Sequence, residues 1–386
     1  MNFKVLLATS LVAGFADASG QALFFQDPTS LAKEEGFYLT SHASFSLAND
    51  FISLKELNKT LNDRYDASSG GYGARPGTNL AFLFFEAGLG LRFNEWSLSW
   101  IHRRDVLLKA SKDATYFAYA NKVARGLPVG SRLQMQVDIQ GHEFDGLRVS
   151  KGLTLWESTE HRIKAGYGVT LLQGSEYRTT SGEGTIQSTL LGYEYAGGWN
   201  QAYSQDTYPY LRNAKPQGTG YTLDAAVQIE ADGAGVFKLV ANDIFSEVNW
   251  KNMPYTQVSA NSMTLSRDQY GYVVFNPTLS GTNDVQRRTV KERIPTRWTT
   301  YWEIPMGVRQ LRFGNQRVWG EDLPFIGLTQ QLGGDSTIGL SHDFRMKSWQ
   351  LNWSSSRLSF GVYSSQTLLS ETRAFGVSAS YRYSLM

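Results

Sequence analysis

Residues 132–140 read RLQMQVDIQ: Leu133, Met135, Val137 and Ile139 alternate strictly with Arg132, Gln134, Gln136, Asp138 and Gln140. A repeat of two is the signature of an extended strand, whose successive side chains point to opposite faces. A helix would repeat its apolar residues at three and four instead. One face of this stretch is wholly aliphatic and the other wholly polar, so it predicts a strand between apolar surroundings and water.

The same alternation recurs along the chain. Leu147, Val149, Leu153 and Leu155 alternate with Arg148, Ser150 and Thr154, and Ile163, Ala165, Tyr167, Val169 and Leu171 with Arg162, Lys164 and Thr170. Tyr221, Leu223, Ala225, Val227 and Ile229 oppose Thr222, Asp224, Gln228 and Glu230. At the end of the chain Phe375, Val377, Ala379, Tyr381, Tyr383 and Leu385 oppose Ser378, Ser380, Arg382 and Ser384. Strands of a soluble sandwich typically run five or six residues. Several of these runs reach nine or more, the length a tilted strand needs to cross a bilayer. Trp156, Tyr193, Tyr195 and Trp199 stand at run ends, where interfacial girdles are expected. The pattern therefore predicts an all-β fold, a closed antiparallel transmembrane β-barrel of about 14 strands, within 12–16. Closure is required because an open edge in lipid leaves backbone groups unpaired.

Turn signals divide the runs. Asp145-Gly146, Ala231-Asp232-Gly233 and Gly333-Gly334-Asp335 are expected to reverse the chain, and residues 196–218 and 276–293 to form long loops. Two stretches read as helix. One spans residues 49–66, with Phe51, Leu54, Leu57 and Leu61 at helical spacing and Asn49-Asp50 as a cap; it is a candidate plug for the lumen. The other lies within residues 106–124.

The N-terminus predicts export. One lysine at position 4 precedes residues 5–15 (VLLATSLVAGF), and Ala16-Asp17-Ala18 follows as a cleavage pattern. This is the layout of a signal peptide, with cleavage expected after Ala18 and the barrel occupying 19–386. The chain has no Cys, which suits an oxidising compartment and excludes a lipoprotein anchor and any thiolate site. A formal net charge of +2 argues against a nucleic-acid partner.

Motifs for chemistry are sparse. The five histidines are widely spaced, and no phosphate-binding loop, nucleophile elbow or EF-hand occurs, so neither a metal nor another cofactor is expected. His42 and Ser44 share one strand face, a His-x-Ser pair of the kind the outer-membrane phospholipase uses. They share that face with Tyr38, Thr40 and Ser46, which points them to the lumen, and no base-orienting partner is evident. No catalytic residue is therefore expected.

The expected seat of function is the lumen, with Arg132, Gln134, Asp138, Arg148, Arg162, Lys164, Asp224, Glu230 and Arg382 in lumen phase. Their mixed signs form no single-charge ladder. Residues 19–386 resemble Gram-negative outer-membrane barrel proteins of the porin-like kind, and Asp27-Pro28-Thr29-Ser30-Leu31-Ala32 resembles the Asn-Pro-Ala segment of the long-chain fatty acid transporter family, with Asp in place of Asn. That second resemblance implies 14 strands and an N-terminal plug. The chain departs from the barrel pattern at its end, where Leu385-Met386 replaces the usual terminal aromatic. The expected function is a porin-like or gated channel passing a small solute, in contact with outer-membrane lipid. The alternatives are a structural or assembly barrel that docks a protein partner through long loops, or serves polymer or protein export, and then an outer-membrane hydrolase.

Overall fold

The structure, a computed structural model, describes residues 27–32, 36–54, 73–122, 126–190, 192–204, 216–262, 265–267, 269–270, 273–275, 278–333, 335–367 and 371–385. A single 3-10 turn at Pro28–Leu31 precedes the strands. The first half of the chain forms β1 (Phe37–Asn49), β2 (Thr78–Phe93), β3 (Trp96–Ser111), a helix α1 (Lys112–Lys122), β4 (Arg132–Glu157) and β5 (His161–Thr189). Then come β6 (Gly192–Tyr203), β7 (Gln217–Ala231), β8 (Gly235–Asn261), β9 (Leu265–Arg267), β10 (Val273–Phe275) and β11 (Thr278–Glu292). The last third supplies β12 (Arg297–Met306), β13 (Arg309–Val318), β14 (Glu321–Gln331), β15 (Thr337–Asp343), β16 (Ser348–Ser354), β17 (Leu358–Ser364) and β18 (Ala374–Ser384).

Fourteen of these strands close an antiparallel barrel. The ring runs β1 to β5, then β7, β8 and β12 to β18, and β18 pairs back onto β1 from Tyr38↔Ser384 to Ala48↔Ala374. β6 fills the space between β5 and β8 above β7, and β11 continues the edge of β8. The wall is uneven: β4, β5 and β8 run 26, 29 and 27 residues, whereas β15, β16 and β17 have seven each. Connections such as Asn94–Glu95 and 232–234 are short at the rim that holds both ends of the barrel chain, and the tall extensions and α1 stand at the other rim. In outer-membrane barrels the short turns face the periplasm and the long connections the outside.

The outer face carries the exposed apolar residues, among them Leu89, Leu91, Leu98, Trp100, Leu147, Val149, Val169, Leu171, Leu351 and Phe360. That belt is the one lipid requires of a spanning barrel. Inside, two apolar clusters pack where the alternation turns inward. One holds Leu80, Phe82, Phe84, Leu107, Val318, Leu323, Met346 and Tyr363 near the outer rim. The second joins Ile101, Phe144, Leu172, Tyr177, Val248, Trp250 and Met253.

Several local expectations are corrected. Asp145-Gly146 is no turn: both residues lie inside β4, held by ladders to Ile101 and His102 on one side and to Leu172 and Gln173 on the other. Two flanking strands override a short-range turn preference. Of the loop expected at 196–218, residues up to Tyr203 belong to β6, and of that at 276–293, residues 278–292 are β11. β6 pairs with the outer ends of β5 and β8, and β11 with that of β8, beyond the belt of exposed apolar residues, where a lipid-facing pattern is not required. The helix expected within 106–124 is present as α1, from Lys112 to Lys122, while residues 106–111 complete β3. Ser111 caps it, its Oγ accepting from Ala114 N at 3.2 Å.

α1 also changes the meaning of the 132–140 stretch. Its Ala120 joins Leu127, Leu133 and Ile186 in a small core, with Tyr116, Phe117, Met135 and Tyr195 against it. The aliphatic face of that stretch thus begins under a helix in the outer extension. Tyr193 and Tyr195 serve this core instead of a membrane girdle: Tyr193 lies edge-on to Phe117 and its hydroxyl accepts from Leu127 N at 3.0 Å.

Candidate functional site

Alternation in β3 turns Arg103 and Asp105 into the lumen, where they centre a buried charge network. Arg103 Nε donates to Asp105 Oδ2 at 2.8 Å, and its Nη1 and Nη2 grip Asp243 Oδ1 and Oδ2 at 3.0 and 2.8 Å. Arg297 adds a second guanidinium to Asp243 at 3.3 Å. His142 lies between two carboxylates, Nδ1 2.9 Å from Glu292 and Nε2 3.2 Å from Asp105, and Trp250 Nε1 donates to Glu292 Oε2 at 2.7 Å. On the neighbouring wall Arg148 donates to Thr170 and to Glu86, both at 3.1 Å, and approaches Asp224 at 3.6 Å. His42 Nε2 meets Glu86 at 3.0 Å. Asp243 takes the left-handed conformation, φ 58°, which aims its N–H at Asp224 Oδ1, 3.0 Å away.

These groups are almost dry: Arg103 is 1% exposed, Asp105 and His142 3%, Arg148 4%. Buried charges persist only when paired and hydrogen-bonded, because desolvation costs several kcal/mol per ion. The network links β1, β2, β3, β4, β5, β7, β8, β11 and β12 on one side of the lumen. The inward phase of β15 to β18 carries the small or neutral Ser341, Asn352, Ser359, Gly361, Ser378 and Ser380 together with the larger Asp343, Gln350, Tyr363 and Arg382.

Just below the network, towards the short-turn rim, residues 27–32 sit inside the barrel. Asp27 caps the 3-10 turn by accepting from Thr29 N at 3.0 Å, and Pro28 fixes its first residue. Asp27 also pairs with Lys238 of β8, and Thr29 Oγ1 reaches Gln228 Oε1 of β7 at 3.4 Å. Against β4 and β5 the approach is backbone to backbone. A Cβ at Gly152 would strike Ala32 N and Leu31 C, and one at Gly166 would strike Pro28. Two glycines facing each other in the β4–β5 ladder thus make the recess in which the turn lies.

At the outer rim Asp50 accepts from Leu80 N at 2.9 Å and from Arg345 Nη2 at 3.2 Å. Burial raises its carboxyl above the usual range, against the pull of both donors.

The lumen-phase residues expected from sequence divide into three levels. Arg148 and Asp224 belong to the network. Arg162, Lys164 and Glu230 form a cluster at the short-turn rim, with Lys164 Nζ 2.6 Å from Glu230 and Arg162 Nη2 2.7 Å from Glu157, while Arg382 lies 3.9 Å over the Tyr38 ring. Arg132, Gln134 and Asp138 stand in the outer extension, where Asp138 accepts from Ser181 Oγ at 2.6 Å. Of the plug expected at 49–66, Phe51 and Leu54 lie at the outer rim, where Leu54 N donates to Thr372 O at 2.7 Å. Leu57 and Leu61 lie outside the described residues, as does the signal segment 1–18.

Sequence reasoning missed Arg103, Asp105, His142, Asp243, Glu292 and Arg297. In β3 the inward phase mixes Ile101 and Leu107 with the charged pair, so no clean alternation announces it. A bulge at Ser175 then shifts the inward phase of β5 from even to odd residues, from Gly174 to Tyr177.

No protein-family model matches the sequence, and no curated protein matches it. The family-level likeness of 27–32 to fatty acid transporters gains no support there. Among solved structures the chain is similar to the monoaromatic hydrocarbon channel CymD, at 8% identity over 97% of this chain and 94% of that one, TM-score 0.31. It is also similar to the P. putida toluene transporter TodX, at 10% identity over 97% and 96%, TM-score 0.27. The siderophore receptor PirA from Pseudomonas aeruginosa follows at 9% identity over 91% and 81%, TM-score 0.18. At these scores the likeness says nothing about cargo, and the barrel rests on its own strand pairing.

Proposed function

We propose that this protein is a gated outer-membrane channel for small solutes, described in its closed state. One observation carries the reading: a short N-terminal turn occupies a glycine-made recess in the lumen against β4 and β5 and is held to the adjoining strands β7 and β8 through Thr29–Gln228 and Asp27–Lys238. A barrel serving only as an anchor needs filling, but not a separate chain segment in a fitted recess. The charge network acts as fixed filling above the turn on the same side of the lumen. The position of residues 27–32 supports the plug that their resemblance to the fatty acid transporter segment implies, without extending to that family's cargo.

Purified, refolded protein in planar bilayers tests this. The intact chain is expected to show rare, brief openings, and Lys238→Ala or removal of residues 27–32 to raise the open fraction by an order of magnitude or more. Unchanged silence in both variants, with heat-modifiable migration intact, would move the reading to a structural barrel.

A further inference from the structure

Above the network the outer extension holds two open clefts, of about 580 and 360 Å³, that share Lys109 and Asp138 in their walls. Both fall within the usual size of small-molecule sites, about 300–1,000 Å³. Their lining combines neutral hydrogen-bonding groups, Ser111, Gln134, Gln136 and Gln140 with Thr179 and Ser181, with Asp138 as acceptor and the oppositely charged Lys112 and Asp113 at the edge of the larger cleft. Lys109 is held by Glu321 at 3.1 Å, which balances its charge.

Trp319 borders the second cleft, and its backbone is unusual. It has φ 48° and Gly320 has φ 79°, the two central residues of a tight hairpin turn between β13 and β14. Such turns want Asn-Gly or Asp-Gly, because a bulky side chain at positive φ is strained. Among the described residues the other non-glycine ones at positive φ are Asn94, Asp243, Asn252 and Lys347. Trp319 rests against the apolar cluster at the outer rim and carries Lys109 Nζ 5.4 Å from its ring centroid. A strained turn thus places an indole beside a wall of amides and hydroxyls.

We propose that this vestibule binds a neutral polyhydroxylated solute, a sugar, which stacks on Trp319 and hydrogen-bonds to Gln136, Asp138 and Ser181. An aromatic ring offers its face to the C–H side of a pyranose, while amides and a carboxylate match hydroxyls that both donate and accept. Gln140 forms the floor: its Nε2 donates to Glu292 Oε1 at 3.3 Å and to Arg293 O at 3.1 Å, so the site abuts the buried network. As cargo selection the proposal rests on the channel reading; as a binding site it stands without it.

Equilibrium binding to the refolded full chain in detergent separates the two, because it needs no conduction. Titration calorimetry with maltose is expected to show saturable binding. Trp319→Ala should weaken it at least about tenfold, Trp319→Phe less than Trp319→Ala, and Asp138→Asn by about fivefold, the worth of one hydrogen bond. Asp138 lies away from the apolar clusters, so its variant keeps the test valid if Trp319→Ala fails to fold. No maltose binding, binding unchanged in both Trp319→Ala and Asp138→Asn, or preferential binding of inorganic phosphate at Lys109 would overturn the proposal. Maltose binding in a protein that never conducts would retain the site and end the channel reading.

Discussion

Arg103 is the residue on which the lumen filling depends. It bridges Asp105 and Asp243 with almost no exposure, so its removal leaves Asp243 to Arg297 alone and Asp105 to His142 alone in a dry interior. Arg103→Ala is expected to lower the unfolding free energy by about 3–5 kcal/mol. Arg162, 39% exposed in its side chain at the short-turn rim, is the control, and Arg162→Ala should cost less than about 1 kcal/mol. Urea titration of the refolded protein in vesicles measures both; equal losses would mean that the network is not the dominant filling. The contrast also marks what was legible. Arg148 and Asp224 sat in strict alternation and could be read as inward, whereas Arg103 and Asp105 stand in an inward phase bracketed by apolar Ile101 and Leu107. His142 lies in phase with Gln134, Asp138 and Arg148, but its two carboxylates come from β3 and the end of β11, 37 and 150 residues away. Nothing local announces that meeting.

Among the elements, the alternating strands were readable and their surroundings were not. The 132–140 stretch shows strand periodicity, yet its apolar face begins under α1, while the Ile163-to-Leu171 run faces outward in the belt. Period two reports a two-sided environment without saying whether helix or lipid provides the dry side. Leu133→Arg should therefore leave the barrel inserted, with heat-modifiable migration unchanged, but open the β4–β5 extension to added protease. Val169→Arg should instead impair insertion, by about 2–4 kcal/mol if it sits near the bilayer midplane. If Leu133→Arg blocked insertion as strongly as Val169→Arg, the extension would have to lie within the bilayer. The strands β6 and β11 were hidden for a related reason: standing in water, they need no apolar face, and their polar residues read as loop.

For the molecule as a whole, closure and strand number followed from run length and alternation, while the uneven wall did not. Outward apolar residues span nine positions in β5, from Ile163 to Leu171, but only five in β16, from Trp349 to Trp353. The shorter sector should draw the bilayer thinner beside it. In a chain without cysteine, single nitroxide labels at Val169 and Leu351 can report this, and Leu351 should lie nearer the aqueous boundary. Equal depths would contradict it. The proposed gate was half visible: the sequence shows the Asp27-to-Ala32 resemblance, but the recess depends on Gly152 and Gly166, which the sequence sets within strands with no sign of what lies against them.

The central claim is that residues 27–32 close the lumen. A paired Thr29→Cys and Gln228→Cys substitution would tether the turn where the two side chains now meet. Single-channel recording of that variant, first oxidised and then reduced in the same bilayer, tests the claim most directly. Silence when oxidised and return of openings on reduction is the predicted result; the same conductance in both states, open or silent, would contradict it.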